Sequence, residues 1–211
     1  MNGYLDFRDN FNSNELKNVS SNIKNGAIAI FPTETVYGIG VNALNVDAVK
    51  KLYEVKHRPL NKPISLLVSD MNMINMIAKN ISNIEYKLME AFFPGPLTII
   101  LEKKDIVSNI VTSNNSTVGV RMPANNIALE LIKYAKVPLA TSSANISGNA
   151  SGTTLNSIIK DFLGKVDYFI DSGECKLKTP STIVKVVNGI PRILRQGSIS
   201  LEEIEKVCSI K

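Results

Sequence analysis

Short apolar runs of strand length, separated by segments of helical period, constrain this 211-residue chain more than any other feature. Ala27-Ile-Ala-Ile-Phe31 stops at Pro32, and Ile64-Ser-Leu-Leu-Val68, Leu97-Thr-Ile-Ile-Leu101 and Val166-Asp-Tyr-Phe-Ile170 read as further strands. Thr117-Val-Gly-Val-Arg-Met122 alternates and stops at Pro123. Between these runs the spacing predicts helices. The first is capped by Ser13, carries Leu16, Val19 and Ile23 on one face, and stops at Gly26. Another starts near Asn45 with Val49, Leu52 and Tyr53 on one face, and a Met-rich pattern covers 71–79. Ser82-Asn-Ile-Glu85 is a capping box for a helix through Phe93, and Ser200-Leu-Glu-Glu203 is a second one. Asn125 caps a helix through Ala135, and Thr154 starts one to about Leu163. Ser181–Val187 and Ile190–Arg195 flank Asn188-Gly189, the strongest hairpin signal in the chain. Alternating strands and helices plus one hairpin predict a single α/β domain over residues 1–211, built on a mixed sheet with flanking helices.

Several chemistries are excluded. No apolar run approaches the roughly 20 residues that cross a bilayer. Met-Asn-Gly-Tyr-Leu-Asp-Phe-Arg lacks the charged and apolar regions of a signal peptide, so a cytosolic address is expected. Cys175 and Cys208 are far apart and His57 is the only histidine, which argues against a disulfide framework or a zinc site. There is no Gly-x-x-x-x-Gly-Lys phosphate loop. Gly38-Ile-Gly40-Val-Asn-Ala43 mimics a dinucleotide fingerprint, but a polar loop, Thr33 to Gly40, parts it from the strand before it, and the expected acid is missing. Ser142 and Ser143 lie in no nucleophile elbow.

The positive evidence is polar and cationic. Val137-Pro-Leu-Ala runs as a short strand into Thr141-Ser-Ser-Ala-Asn-Ile-Ser-Gly148, a turn crowded with hydroxyls, where open α/β sheets place ligands. That stretch carries no charge. Cations stand at element ends instead: Lys56, Arg58 and Lys62 around the helix break at Pro59, Arg121 ending one strand, and Arg195 ending another. Taken alone, the first cluster reads as a solvated helix terminus, where cations are favoured. Together the separate positions suit a triphosphate, which Arg grips through a fork and Lys as a point charge. The net charge of +5 fits a polyanionic ligand such as a nucleotide or RNA, or plain solubility. Thr33 and Thr35 either hold a small zwitterion or cap their own turn. Tyr37 reads as a core aromatic or a ligand wall. Thr117, Ser151 and Ser181 are uninformative singly.

Phe31-Pro-Thr-Glu-Thr-Val-Tyr-Gly-Ile-Gly40, Lys56-His-Arg-Pro59, Phe93-Pro-Gly-Pro-Leu-Thr98, Val118-Gly-Val-Arg-Met-Pro123 and Thr141–Gly148, with Ser181-Thr182 and Leu194-Arg-Gln-Gly197, resemble the YrdC/Sua5/TsaC family in the same order. The resemblance implies a twisted open sheet with a concave basic cavity and a short-form L-threonylcarbamoyladenylate synthase. Such an enzyme uses L-threonine, bicarbonate and ATP with Mg2+, and its product passes to a tRNA threonylcarbamoyl transferase complex. It further implies Lys56 and Arg58 as catalytic, phosphate-holding residues. Lys62, Thr117, Ser143, Asn145, Ser151 and Arg195 would contact the nucleotide, and Thr33, Thr35, Arg121, Thr141 and Ser181 the threonine. Long-form members often have Asn where this chain has Lys62 and His where it has Leu67. The alternatives are a module that binds tRNA or double-stranded RNA without turnover, and a related carbamoyl-adenylating enzyme.

Overall fold

The computed structural model describes residues 3–208. Its strands are β1 (Gly3–Asp6), β2 (Ala29–Phe31), β3 (Gly38–Asn42), β4 (Ser65–Leu67), β5 (Ala78–Lys79), β6 (Leu97–Lys103), β7 (Thr117–Arg121), β8 (Leu139–Ser143), β9 (Tyr168–Asp171), β10 (Thr182–Val187) and β11 (Ile190–Arg195). Its helices are α1 (Ser13–Lys24), α2 (Val46–Val55), α3 (Met71–Ile77), α4 (Asn83–Phe92), α5 (Asn109–Thr112), α6 (Asn126–Ala135), α7 (Ile159–Phe162) and α8 (Leu201–Cys208).

Local chemistry starts most of these elements where the spacing predicts. Asn45 and Asn125 cap α2 and α6 by accepting from backbone N–H groups of the first turn. Ser82 and Glu85 form the reciprocal box that opens α4, and Ser200 and Glu203 repeat it before α8. In the β10–β11 turn, Asn188 (φ 51°) and Gly189 (φ 77°) both adopt the left-handed region that a two-residue hairpin requires.

Four expectations are corrected. Asn12, not Ser13, caps α1, because its side chain accepts from both Asn14 N and Glu15 N. The helix expected from Thr154 splits into a 3-10 turn, Leu155–Ser157, and the single turn α7, because Ile158 between them leaves helical dihedrals. Gly38–Asn42 is a strand rather than a loop, pairing antiparallel with both β2 and β8. β8 likewise continues through Ser143, into the stretch read as a turn.

The strands form one mixed sheet in the order β1-β9-β2-β3-β8-β4-β7-β6-β10-β11, with β5 pairing off β6. β4 runs parallel to β7 and β6 to β10, whereas β3–β8, β4–β8 and β6–β7 are antiparallel. Side chains alternate across a strand, and paired residues share a face, so register assigns each central residue to one side. One face carries Ile39, Val41, Ala140, Leu66, Val118, Val120, Leu97, Ile99, Leu101 and Val184. These pack with Val49 and Leu52 of α2, Leu88 of α4, Phe162 of α7 and Ile204 of α8 in one apolar core. Each of the Val, Leu, Ile and Phe side chains among these stabilises the fold by about 1.5–3 kcal/mol when removed from water.

The opposite face carries Gly38 and Gly40, Thr141 and Ser143, Ser65 and Leu67, Gly119 and Arg121, Thr98 and Ile183, as the pairings Gly40↔Thr141, Ser65↔Thr141, Leu67↔Arg121 and Thr98↔Ile183 require. Helices α1 and α6 cover the part of this face around Phe31, Leu67 and Leu139, using Leu16, Val19, Ile23, Leu131 and Ile132. Among the described residues no apolar layer of helices covers the rest of that face, and there most of the sheet's side chains are small or polar. No helix among the described residues is long and apolar enough to cross a membrane.

Candidate active site

The uncovered part of the sheet is the floor of a cleft of about 220 Å3 that opens to solvent. Gly38, Thr141, Ser143, Ser65, Leu67, Thr98 and Ile183 line the floor, while Thr33, Thr35, Tyr37, Arg58, Arg121, Ser151, Ser181 and Arg195 rise around it. The site therefore lies across a sheet face, not only beyond strand ends as expected for an open α/β sheet. Glycine makes this floor possible. A Cβ on Gly40 would sit 2.7 Å from Thr141 Oγ1, and one on Gly119 would sit 2.7 Å from Ser65 Oγ. A larger residue at either position would force these hydroxyls to shift.

Three guanidinium groups line the cleft, and its lining includes no Asp or Glu. Arg58 is held by carbonyls, with Nε donating to Lys62 O (3.0 Å) and Nη2 to Pro63 O (2.8 Å). Arg195 donates through Nη2 to Ser181 O (2.7 Å) and Ser181 Oγ (3.1 Å), and that hydroxyl shares a 2.8 Å hydrogen bond with Thr98 Oγ1. Burial pushes both guanidinium groups below their usual range, and the charge on Arg121 adds to this at Arg195. Arginine nonetheless stays charged in proteins, so the cleft keeps a positive field. Arg121 donates through Nε to Gly95 O (3.1 Å), and its Nη2 lies 2.8 Å from Glu34 Oε2.

Lys56 departs from expectation. It is 1% exposed and does not line the cleft. Its Nζ donates to Ser143 O (2.6 Å) and Asn145 O (2.5 Å), fastening the turn after β8 from behind. Asn145 is also part of this brace: its Nδ2 donates to Ile146 O and Asn149 O (both 2.9 Å), and its Oδ1 accepts from Ser143 Oγ (2.5 Å). Burial first, and then Arg58, push the Lys56 ammonium down to about 7. Lys62 is exposed and offers its carbonyl to Arg58, while Thr117 sits at the other end of β7 from Arg121. These four, read as phosphate or nucleotide contacts, are not on the wall in this structure: hydrogen bonds hold Lys56 and Asn145 in the brace, Lys62 is exposed, and Thr117 lies at the far end of β7. Thr33, Thr35, Arg58, Arg121, Thr141, Ser143, Ser151, Ser181 and Arg195 are brought together there.

Thr33 and Thr35 cap their own turn and also stand on the cleft. Thr33 Oγ1 donates to Val36 O (2.6 Å) and lies 2.9 Å from Thr35 Oγ1, so the turn is self-capped while both residues line the cleft. Tyr37 is a buried aromatic whose hydroxyl meets Gly173 O (2.8 Å), and its residue also forms wall. Sequence reasoning missed Glu34, Ser65 and Thr98. Ser65 and Thr98 are recoverable from strand parity once register is known; Glu34 stands between the two noted threonines. Among the described residues, no group of three or more His, Cys, Asp or Glu side chains could hold a metal ion.

The Sua5_yciO_yrdC family model, described as "Telomere recombination", matches residues 21–197. The chain belongs to the Sua5/YciO/YrdC family. A threonylcarbamoyl-AMP synthase of Pyrococcus abyssi is 43% identical over 185 residues, spanning 88% of this chain and 54% of that protein. A putative threonylcarbamoyl-AMP synthase of Methanocaldococcus jannaschii is 44% identical, covering 90% of this chain and 89% of that one. This member of the family thus spans little more than half of one curated relative and most of another. The crystal structure of P. abyssi Sua5 complexed with L-threonine superposes with a TM-score of 0.94 at 39% identity, over 97% of this chain and 60% of that one.

Proposed function

We propose that the cleft joins L-threonine, bicarbonate and ATP into threonylcarbamoyl-adenylate and pyrophosphate. The supporting observation is one polar sheet face on which three guanidinium groups converge with no carboxylate in the lining. The neutral threonine amine and bicarbonate form a carbamate with loss of water. A carbamate oxygen then attacks the α-phosphorus of ATP, and the bond to pyrophosphate breaks. Arg58 and Arg195, which have no ion-pair partner among the described residues, suit the phosphates; Arg121 suits the threonine carboxylate. Ser143 and Thr141 supply alignment from the floor. Preorganised donors of this kind act on charge as it develops, and gathering three reactants removes much of the entropic barrier. The described residues put no acidic ligand on the wall, so Mg2+ would enter with the ATP phosphates rather than on protein carboxylates, and would add charge neutralisation there. Lys56 and Asn145 would act through the Ser143 turn that they brace.

In this reading the product is a reactive mixed anhydride in the cytosol. A transferase complex would consume it, placing the threonylcarbamoyl group on adenosine 37 of tRNA. The test is incubation with ATP, bicarbonate and L-threonine while pyrophosphate and the adenylate are followed. Release that depends on both threonine and bicarbonate is expected. Steeply salt-sensitive RNA retention without turnover would instead select the RNA-binding module.

A further inference from the structure

Glu34 is a buried carboxylate that no part of the reaction above uses. It is 5% exposed, and neither Oε1 nor Oε2 has a hydrogen-bond partner. Among the described residues its ion-pair partner is Arg121, at 2.8 Å from Nη2, and that N–H is not aligned as a hydrogen bond. A carboxylate so deprived of donors is costly to bury, and the neighbouring cation offsets that cost. The pairing also divides the cleft electrically. Arg58 and Arg195 have no ion-pair partner among the described residues, whereas Arg121 has one. The guanidinium of Arg121 is thereby held on two inward sides, Nε on Gly95 O and Nη2 against Glu34, and Nη1 has no protein partner among the described residues.

We propose that Glu34 is a positioning residue for Arg121: it fixes the guanidinium so that Nη1 is presented to the cleft, and it balances the charge. Arg121 then serves as a directed donor to a small carboxylate, while the unbalanced charge of Arg58 and Arg195 is left to the polyphosphate. The chemistry needs this separation. Three uncompensated guanidinium groups would draw the polyphosphate to all of them and leave nothing selective for an amino-acid carboxylate. The inference rests on the threonine-dependent reading above.

The experiment measures apparent KM for L-threonine and for ATP, with melting curves, on the wild-type chain and on Glu34→Gln and Glu34→Asp. Glu34→Gln is expected to raise KM for threonine about tenfold or more, with KM for ATP changed by less than about twofold. Glu34→Asp, which keeps the charge, is expected to recover part of the loss. A variant that merely loosened the fold would move both constants together and would not distinguish Gln from Asp. Equal threonine KM in wild type and Glu34→Gln, or equal losses in Gln and Asp, overturns the role of Glu34 alone. Wild-type protein without threonine-dependent turnover overturns the reading beneath it, and this role with it. If Glu34→Gln does not fold, Glu34→Gln with Arg121→Met, which removes both charges, is expected to fold; its failure overturns the pairing.

Discussion

Arg58 and Lys56 stand two positions apart and do different work. Arg58 reaches the cleft wall with its guanidinium steadied by two backbone carbonyls, so its charge is available to a ligand. Arg58→Ala is therefore expected to lose most threonine-dependent pyrophosphate release, on the order of a hundredfold, because charged hydrogen bonds in such sites contribute a few kcal/mol. Circular dichroism should show it folded; a folded variant with full activity would remove Arg58 from the site. Lys56 faces inward, and its ammonium is pushed down to about 7 from 10.5, first by burial and then by Arg58. Between those values the unfolded chain holds a proton that the folded chain has released, so stability rises with pH across that window, by about 1.4 kcal/mol for each unit of depression. Below about pH 7 the full cost of burying the charge is present. Lys56→Met is expected to abolish this rise. Denaturant titrations of both proteins at about pH 6 and pH 9 check it: the gap in stability should move toward wild type at the higher pH, and a constant gap would show that the two carbonyls keep the ammonium charged throughout.

At the scale of elements, the close approach of backbones decides what the hairpin can carry. A Cβ on Gly197 would lie 2.3 Å from Pro180 O and 2.4 Å from Ser181 C, both backbone atoms that cannot swing away. Gly197→Ala is expected to destabilise the fold by about 1–3 kcal/mol, the usual cost of overpacking. At about 2–4 °C per kcal/mol for a chain of this size, thermal unfolding would report it. Arg195 hydrogen-bonds to Ser181, so under the proposed reaction the same displacement is expected to weaken ATP binding. An unchanged melting curve would mean that the segments can slide apart freely. The elements themselves were mostly readable. Asn45, Ser82 with Glu85, Asn125 and Asn188-Gly189 act on neighbours within four residues, and those interactions survive in any context. β3 was not readable, because Gly38 and Gly40 have little strand preference of their own. They are a strand only because β2 and β8 pair on either side.

For the molecule as a whole, the balance of charge predicts how the ligands respond to salt. Under the proposed reaction, ATP is a polyanion that the guanidinium groups of a chain of net charge +5 would draw in, whereas threonine is a zwitterion without net charge. Raising NaCl from about 0.05 to 0.5 M is expected to weaken ATP binding several-fold and threonine binding by less than about twofold. Calorimetric titration of each ligand checks this, and equal salt sensitivity would place both on the same cations. The sequence by itself determined the strand and helix succession, most caps, the hairpin, the polar run after Val137-Pro-Leu-Ala and the candidate cations, because periodicity and capping are local. Only the tertiary structure decided which strand parity forms the cleft, since that depends on register against β4, β7 and β8. It alone turned Lys56 onto the carbonyls of Ser143 and Asn145 and set Glu34 against Arg121. Those partners are far apart along the chain. Their meeting follows from strand order in a mixed sheet, which no local pattern encodes.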